Sequence, residues 1–171
     1  MSWTAEQIDT LLAEMAGSLQ VQIDDGTLAQ PLLIGIQTGG VWLAQALNER
    51  LAEPLPLGSL DITFYRDDFT RRGLHPKVQP SQLPFAIEGR AIVLVDDVLM
   101  TGRTIRAAMN ELFDFGRPAS ITLAVLFDIG HRQLPISADI CGQTLALPPH
   151  QRVELRGPAP LVADIIETRH D

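Results

Sequence analysis

Residues 92–104 read IVLVDDVLMTGRT: an apolar run, two adjacent aspartates, and a short loop closed by Thr-Gly-Arg-Thr. The run RAIVLVDD is short, β-branched and almost free of polar residues until its end, the pattern of a strand buried on both faces. A continuous stripe follows the glycine: in GRTIRAAMNELFDFG, Ile105, Ala108, Met109, Leu112 and Phe113 recur at helical spacing, and Gly116 offers a stop. A buried strand feeding a helix through a tight loop is the repeating unit of an α/β fold. Two neighbouring carboxylates repel each other, and a turn or helix cap needs one acid at most. Their presence together calls for a chemical reason.

The flanking segments repeat the unit. Residues 4–20 predict an amphipathic helix, with Thr4 and Gln7 at capping-box spacing and Ile8, Leu11, Leu12, Met15 and Leu19 on one side. PLLIGIQ (31–37) reads as a buried strand, TGG (38–40) as a glycine turn and VWLAQALNERL (41–51) as a helix. LGSLDITFYR (57–66) alternates like a strand, and SITLAVLFD (120–128) is another apolar run. Past about residue 135 come two weaker strand-like pieces, ADICGQTLAL and RVELR, and a short helix expected at 160–167. The sum is one domain over 1–171: an N-terminal helix within 1–25, a mainly parallel sheet flanked by helices, and a C-terminal segment over 135–171.

Ligands of such sheets sit beyond the carboxyl ends of the strands. Three loops fall there: 37–40, 67–89 and 96–104. The middle one is charged, holds Gly73, Pro76, Pro80 and Pro84, and is longer than a compact domain ordinarily tolerates without a use.

Composition narrows the functional classes. The 171 residues are 46% hydrophobic and 20% charged, with a formal net charge of −8. That balance opposes broad attraction to nucleic acid or to an anionic membrane. The single Cys141 permits no internal disulfide and reads as a small buried hydrophobe. No stretch has the length of a membrane span, and the N-terminus lacks a secretory layout, so a cytoplasmic protein is expected. Neither a Walker A loop nor a G-x-G-x-x-G turn occurs, which removes the main support for nucleoside-triphosphate or dinucleotide chemistry.

A sugar phosphate presents what the layout at 96–104 accepts, hydroxyls at one end and a dianion at the other. Backbone N–H groups at 100–104, with the hydroxyls of Thr101 and Thr104, form a cradle for a phosphate monoester at a helix start. Asp96 and Asp97 are repelled by that anion. They suit neutral hydroxyls, a divalent cation held through water, or positive charge developing nearby.

VLVDDVLMTGRT resembles the phosphoribosyl-pyrophosphate (PRPP) signature of type I phosphoribosyltransferases, a specific motif. IGIQTGG, DITFYRDD and GRPASITLAVLFDIGHRQLPISAD extend the likeness, from about residue 30 to 145, to the PyrR family of pyrimidine-operon attenuators that are also uracil phosphoribosyltransferases. The resemblance implies the type I fold with a flexible loop over 67–89 and a small hood. It implies that Asp96 and Asp97 hold the ribose hydroxyls and that Val98, Leu99, Met100, Thr101, Gly102, Arg103 and Thr104 hold the 5′-phosphate end. Thr38, Gly39 and Gly40 would meet pyrophosphate, and Tyr65-Arg66-Asp67-Asp68 would open the loop, Arg66 facing the leaving group. Asp128, Ile129 and His131 would flank the base. Mg²⁺ would arrive with PRPP, held through water by Asp96 and Asp97. Uracil, UMP and pyrophosphate complete the expected ligands, and a homodimer or higher assembly is the expected state.

Attenuator members bind RNA through a basic surface on the first helix and an arginine after the last core strand. Here the helix has no Lys, Arg or His, and Ser137 stands at the arginine position, so RNA binding is expected to be weak or absent. Two other readings stay open: a UMP- or PRPP-sensing regulator, and a phosphoribosyltransferase for hypoxanthine or guanine.

Overall fold

The structure is a computed structural model that describes residues 1–62 and 81–168. Its elements are β1 (Ser2–Trp3), α1 (Ala5–Asp24), β2 (Leu32–Ile36), α2 (Gly39–Glu49), β3 (Leu57–Leu60), β4 (Ala91–Leu99), α3 (Arg103–Phe115), β5 (Ser120–Asp128), β6 (Ile140–Thr144), β7 (Gln151–Arg156) and β8 (Val162–Glu167). Among the described residues five strands form the central sheet in the order β3-β2-β4-β5-β6, all parallel.

The apolar runs are continuous because both faces of this sheet are covered. Leu33, Val93, Val95 and Leu126 join a core with Ile8, Leu12, Met15 and Leu19 of α1 and Leu43 and Leu47 of α2. The alternate residues Leu32, Ile34, Ile36, Ile92, Leu94 and Val125 join Ile105, Ala108 and Leu112 of α3. Period-two alternation within each run therefore sorts residues between two cores. The α1 start is fixed as its spacing predicts: the Gln7 N–H donates to Thr4 Oγ1 at 3.2 Å, and the Thr4 N–H donates to Gln7 Oε1 at 2.9 Å.

A second, antiparallel sheet runs β1-β8-β7, joining the chain start to its end through Ser2 opposite Asp164. Trp3 ties it to the main core. Its ring lies 4.7 Å from that of Phe127, and its Nε1–H donates to Gln143 Oε1 at 2.9 Å. Trp42, half-buried, packs on the same core and against Gly157 in the β7–β8 turn.

Four expectations are corrected. The helix expected at 160–167 is strand β8, since a short apolar segment has no decisive period and pairing with β7 and β1 settles it. In the strand expected over 57–66, β3 covers Leu57–Leu60, Asp61 and Ile62 are not in it, and residues 63–66 lie outside the described residues. Cys141 is exposed: β6 is an edge strand, and the alternation that buries Ile140 turns Cys141 to the opposite side. Phe113 is 56% exposed, because it lies about 100° round the helix from Leu112 and past the edge of the buried stripe.

Of the long segment at 67–89, residues 67–80 lie outside the described residues, as do Tyr65 and Arg66. Residues 81–89 are packed. Gln82 exchanges both backbone hydrogen bonds with Ser59, at 2.8 and 2.9 Å, and Ile87 is buried in the α3-side core.

Candidate active site

The site forms where β2 and β4 part. The two strands pair as far as Gly35 opposite Val95, whereas β4 continues beside β5 to Leu99 opposite Asp128. Asp96 and Asp97 thus sit inside β4 and not at its end, as the sequence had indicated; one flank of the strand is open from Asp96 onward. Beyond β2 the chain turns through Gln37-Thr38, a cis peptide, into α2.

Two glycines bring that turn onto the acids. A Cβ on Gly39 would lie 2.5 Å from Asp97 Oδ2, and one on Gly40 would lie 2.4 Å from the Val95 carbonyl oxygen and 3.1 Å from Asp96 Cα. Any side chain at either position would push the turn away from the carboxylates. The residues expected to meet pyrophosphate and those expected to meet ribose are therefore in van der Waals contact. Asp96 is 5% exposed, whereas Asp97 is half-buried. The Asp97 N–H donates to Asp96 Oδ1 at 2.9 Å, and the Val98 N–H donates to Asp97 Oδ1 at 3.0 Å. These amides diffuse charge that the adjacent anions would otherwise concentrate.

After Leu99 the backbone bends through Met100 and Thr101 to Gly102, whose φ of +93° suits glycine and opens α3. The Arg103 N–H donates to Thr101 Oγ1 at 3.1 Å. Among the described residues the N–H groups of Thr101 and Gly102 have no hydrogen-bond partner. The start of α3 thus presents two amides without a partner, the kind of donors that an anion takes.

The expected base-flanking residues follow β5. Asp128 accepts from the Gly130 N–H at 3.1 Å and from Arg132 Nη2 at 2.7 Å. Ile129 is buried, its N–H on the Leu99 carbonyl at 3.0 Å. His131 is exposed with Nε2 2.6 Å from the Leu147 carbonyl oxygen, so one ring nitrogen is engaged within the chain. Arg132 closes the DIGHR segment (128–132) expected to flank the base, and the sequence assigns it no role of its own. It joins Asp128 to the Met100 carbonyl, and its only sequence sign is the Asp128–Arg132 spacing.

The described residues contain no cluster of three or more His, Cys, Asp or Glu able to hold a metal. Asp96 and Asp97 supply two carboxylates. That set fits a divalent ion whose remaining positions are filled by water and by the ligand's own oxygens. No helix among the described residues is long and apolar enough to cross a membrane.

Comparison with known proteins agrees with this architecture. Residues 4–146 match the family described as phosphoribosyl transferase domain. A bifunctional protein PyrR of Pseudomonas fluorescens is 56% identical over 155 residues, covering 91% of this chain and 92% of that protein. Its counterpart in Pseudomonas paraeruginosa is 57% identical over 154 residues, covering 90% and 91%. Among solved structures, a hypoxanthine-guanine phosphoribosyltransferase of Bacillus anthracis superposes with a TM-score of 0.70 at 17% identity, covering 96% of each chain. A hypoxanthine phosphoribosyltransferase of Staphylococcus aureus gives 0.68 at 21% identity, covering 96% and 90%. At those identities the purine enzymes speak for the fold alone. The chain belongs to the phosphoribosyl transferase domain family and, within it, to the PyrR proteins.

Proposed function

We propose that this protein is a uracil phosphoribosyltransferase that makes UMP and pyrophosphate from uracil and PRPP. The observation that carries the reading is the contact of Gly39 with Asp97, one strand-end away from the anion turn at 100–104. Pyrophosphate loop, hydroxyl acceptors and phosphate turn then lie in the order in which PRPP carries its groups.

In the reaction, uracil N1 bonds to the anomeric carbon, the bond from that carbon to the pyrophosphate oxygen breaks, and the N1 proton is released. Positive charge grows on the ribose as the leaving group departs. Asp96 and Asp97, fixed by the fold before substrate arrives, favour that charge without reorganising. Amides of the 38–40 turn take the leaving pyrophosphate, and those of 101–104 hold the 5′-phosphate. Asp96 and Asp97 would hold Mg²⁺ through water, and the bound ion would supply positive charge against that of the pyrophosphate. The backbone of 128–131 flanks the base, Asp128 and His131 being turned toward partners of the chain itself. Across a panel of free bases, Mg²⁺-dependent pyrophosphate release from PRPP is expected with uracil. Release with hypoxanthine or guanine and not with uracil would overturn the assignment.

A regulatory role rests on the same pocket, with UMP and PRPP as signals. RNA attenuation finds no support in α1, whose twenty residues include four acids and no Lys, Arg or His, or in Ser137, which is exposed. Filter binding to a pyrimidine-operon leader at physiological salt is expected to give weak, unselective retention.

A further inference from the structure

We propose that Arg132 is a positioning residue for the 5′-phosphate, acting by setting the direction of the amides in the phosphate turn; this rests on the phosphoribosyltransferase reading above. The carbonyls of Leu99, Met100 and Thr101, three in succession, are all held by the segment that follows β5. The Leu99 carbonyl accepts from the Ile129 N–H at 3.0 Å. The Met100 carbonyl accepts from Arg132 Nη1 at 2.6 Å. The Thr101 carbonyl accepts from the Gln133 and Leu134 N–H groups at 2.9 and 3.2 Å.

In a trans peptide the C=O of one residue and the N–H of the next point in opposite directions. Drawing these carbonyls toward 129–134 therefore turns the N–H groups of Met100, Thr101 and Gly102 the other way. The amides of Thr101 and Gly102 are the two without a partner among the described residues. The direction of the anion donors is thus decided by a segment thirty or more residues further along the chain.

Two of the three locks are backbone to backbone and come with the chain path. The middle one depends on a side chain. Arg132 is held for it: Nη2 donates to Asp128 Oδ2 at 2.7 Å, both side chains are mostly buried, and Asp128 also accepts the Gly130 N–H. The ion pair neutralises the guanidinium, which leaves geometry as its contribution. Arg103 Nε donating to Gln133 Oε1 at 2.7 Å closes the brace from the helix side. A planar guanidinium spans a carboxylate and a carbonyl at once, which an ammonium does not do in the same geometry.

The test is binding of two probes that fill different parts of the site, ribose 5-phosphate and pyrophosphate, to the full chain and to two variants. Arg132→Met is expected to weaken ribose 5-phosphate by about tenfold, the effect of a lost charge-assisted hydrogen bond, and to leave pyrophosphate within about twofold. In turnover the same variant raises KM for PRPP more than KM for uracil. Arg132→Lys keeps the charge beside Asp128 with fewer fixed donors, and is expected to recover part of the loss. It carries the same comparison if Arg132→Met does not fold. Equal weakening of both probes, or no change in ribose 5-phosphate, would overturn the role. Because the probes need no uracil, absence of uracil turnover in the unaltered protein would count against the functional reading and leave this test standing.

Discussion

The turn at 100–104, proposed above to hold phosphate, and the β1-β8-β7 sheet are built in opposite ways. The turn is local: Asp96 through Thr104 carry the acids, the hydroxyls and the left-handed glycine within one strand–helix junction. The small sheet is as non-local as the chain permits, pairing Ser2 with Asp164 and Trp3 with Ala163. An anion site made from amides and a helix start needs only a short path of backbone. A sheet of chain ends needs the rest of the fold to have brought those ends together, and contributes buried apolar surface in return: Trp3, Val153, Leu155 and Ala163 all enter the α1-side core. Chemistry and cohesion are thereby separable, and substitutions in each region ought to report on one and not the other.

The largest expected effect tests the chemical side. Asp97→Asn keeps an Oδ1 for the Val98 N–H and so keeps the local structure, but removes charge that favours the cationic ribose. Turnover is expected to fall roughly 10³-fold with a melting temperature close to that of the unaltered chain. Near-normal turnover would show that the acids have another task. Trp3→Ala tests the other side: losing the ring on Phe127 and the bond to Gln143 costs about 3 kcal/mol of stability in denaturant titration. At a temperature where the variant is folded, KM for PRPP is expected to be unchanged; a rise would mean that the small sheet shapes the site.

Gly39→Ala sharpens the boundary between the regions, because its Cβ would strike Asp97 from the turn. Turnover is expected to fall about tenfold or more while stability drops by about 1–2 kcal/mol, the cost of overpacking. The smallest effect is Thr4→Ala, which removes the α1 cap and costs about 1 kcal/mol, with kcat and KM unmoved. Differential scanning with steady-state kinetics checks both variants.

Legibility in the sequence follows the same division. The parallel sheet, three helices and the acid–turn motif were readable because each is a local pattern: continuous apolar runs, a helical stripe at 105–112, glycine at the turn. The 160–167 strand was misread because its partners are distant, and Phe113 and Cys141 because a period says which side a residue takes and not what covers that side. Arg132 was legible only as the end of the base-flanking segment, because an arginine after a strand looks the same whether it meets solvent or a carbonyl at Met100.

The sequence by itself determined the fold class and the family, and it singled out the paired acids and the turn at 100–104, since propensity, periodicity and short-range hydrogen bonding are properties of neighbouring residues. Tertiary structure decided how those parts meet. It set Gly39 on Asp97 where β2 leaves β4, and it turned the amides of Thr101 and Gly102 outward by holding their neighbours' carbonyls from across β5. Contacts of that kind depend on which strands lie side by side, and strand order is settled only when the whole sheet packs.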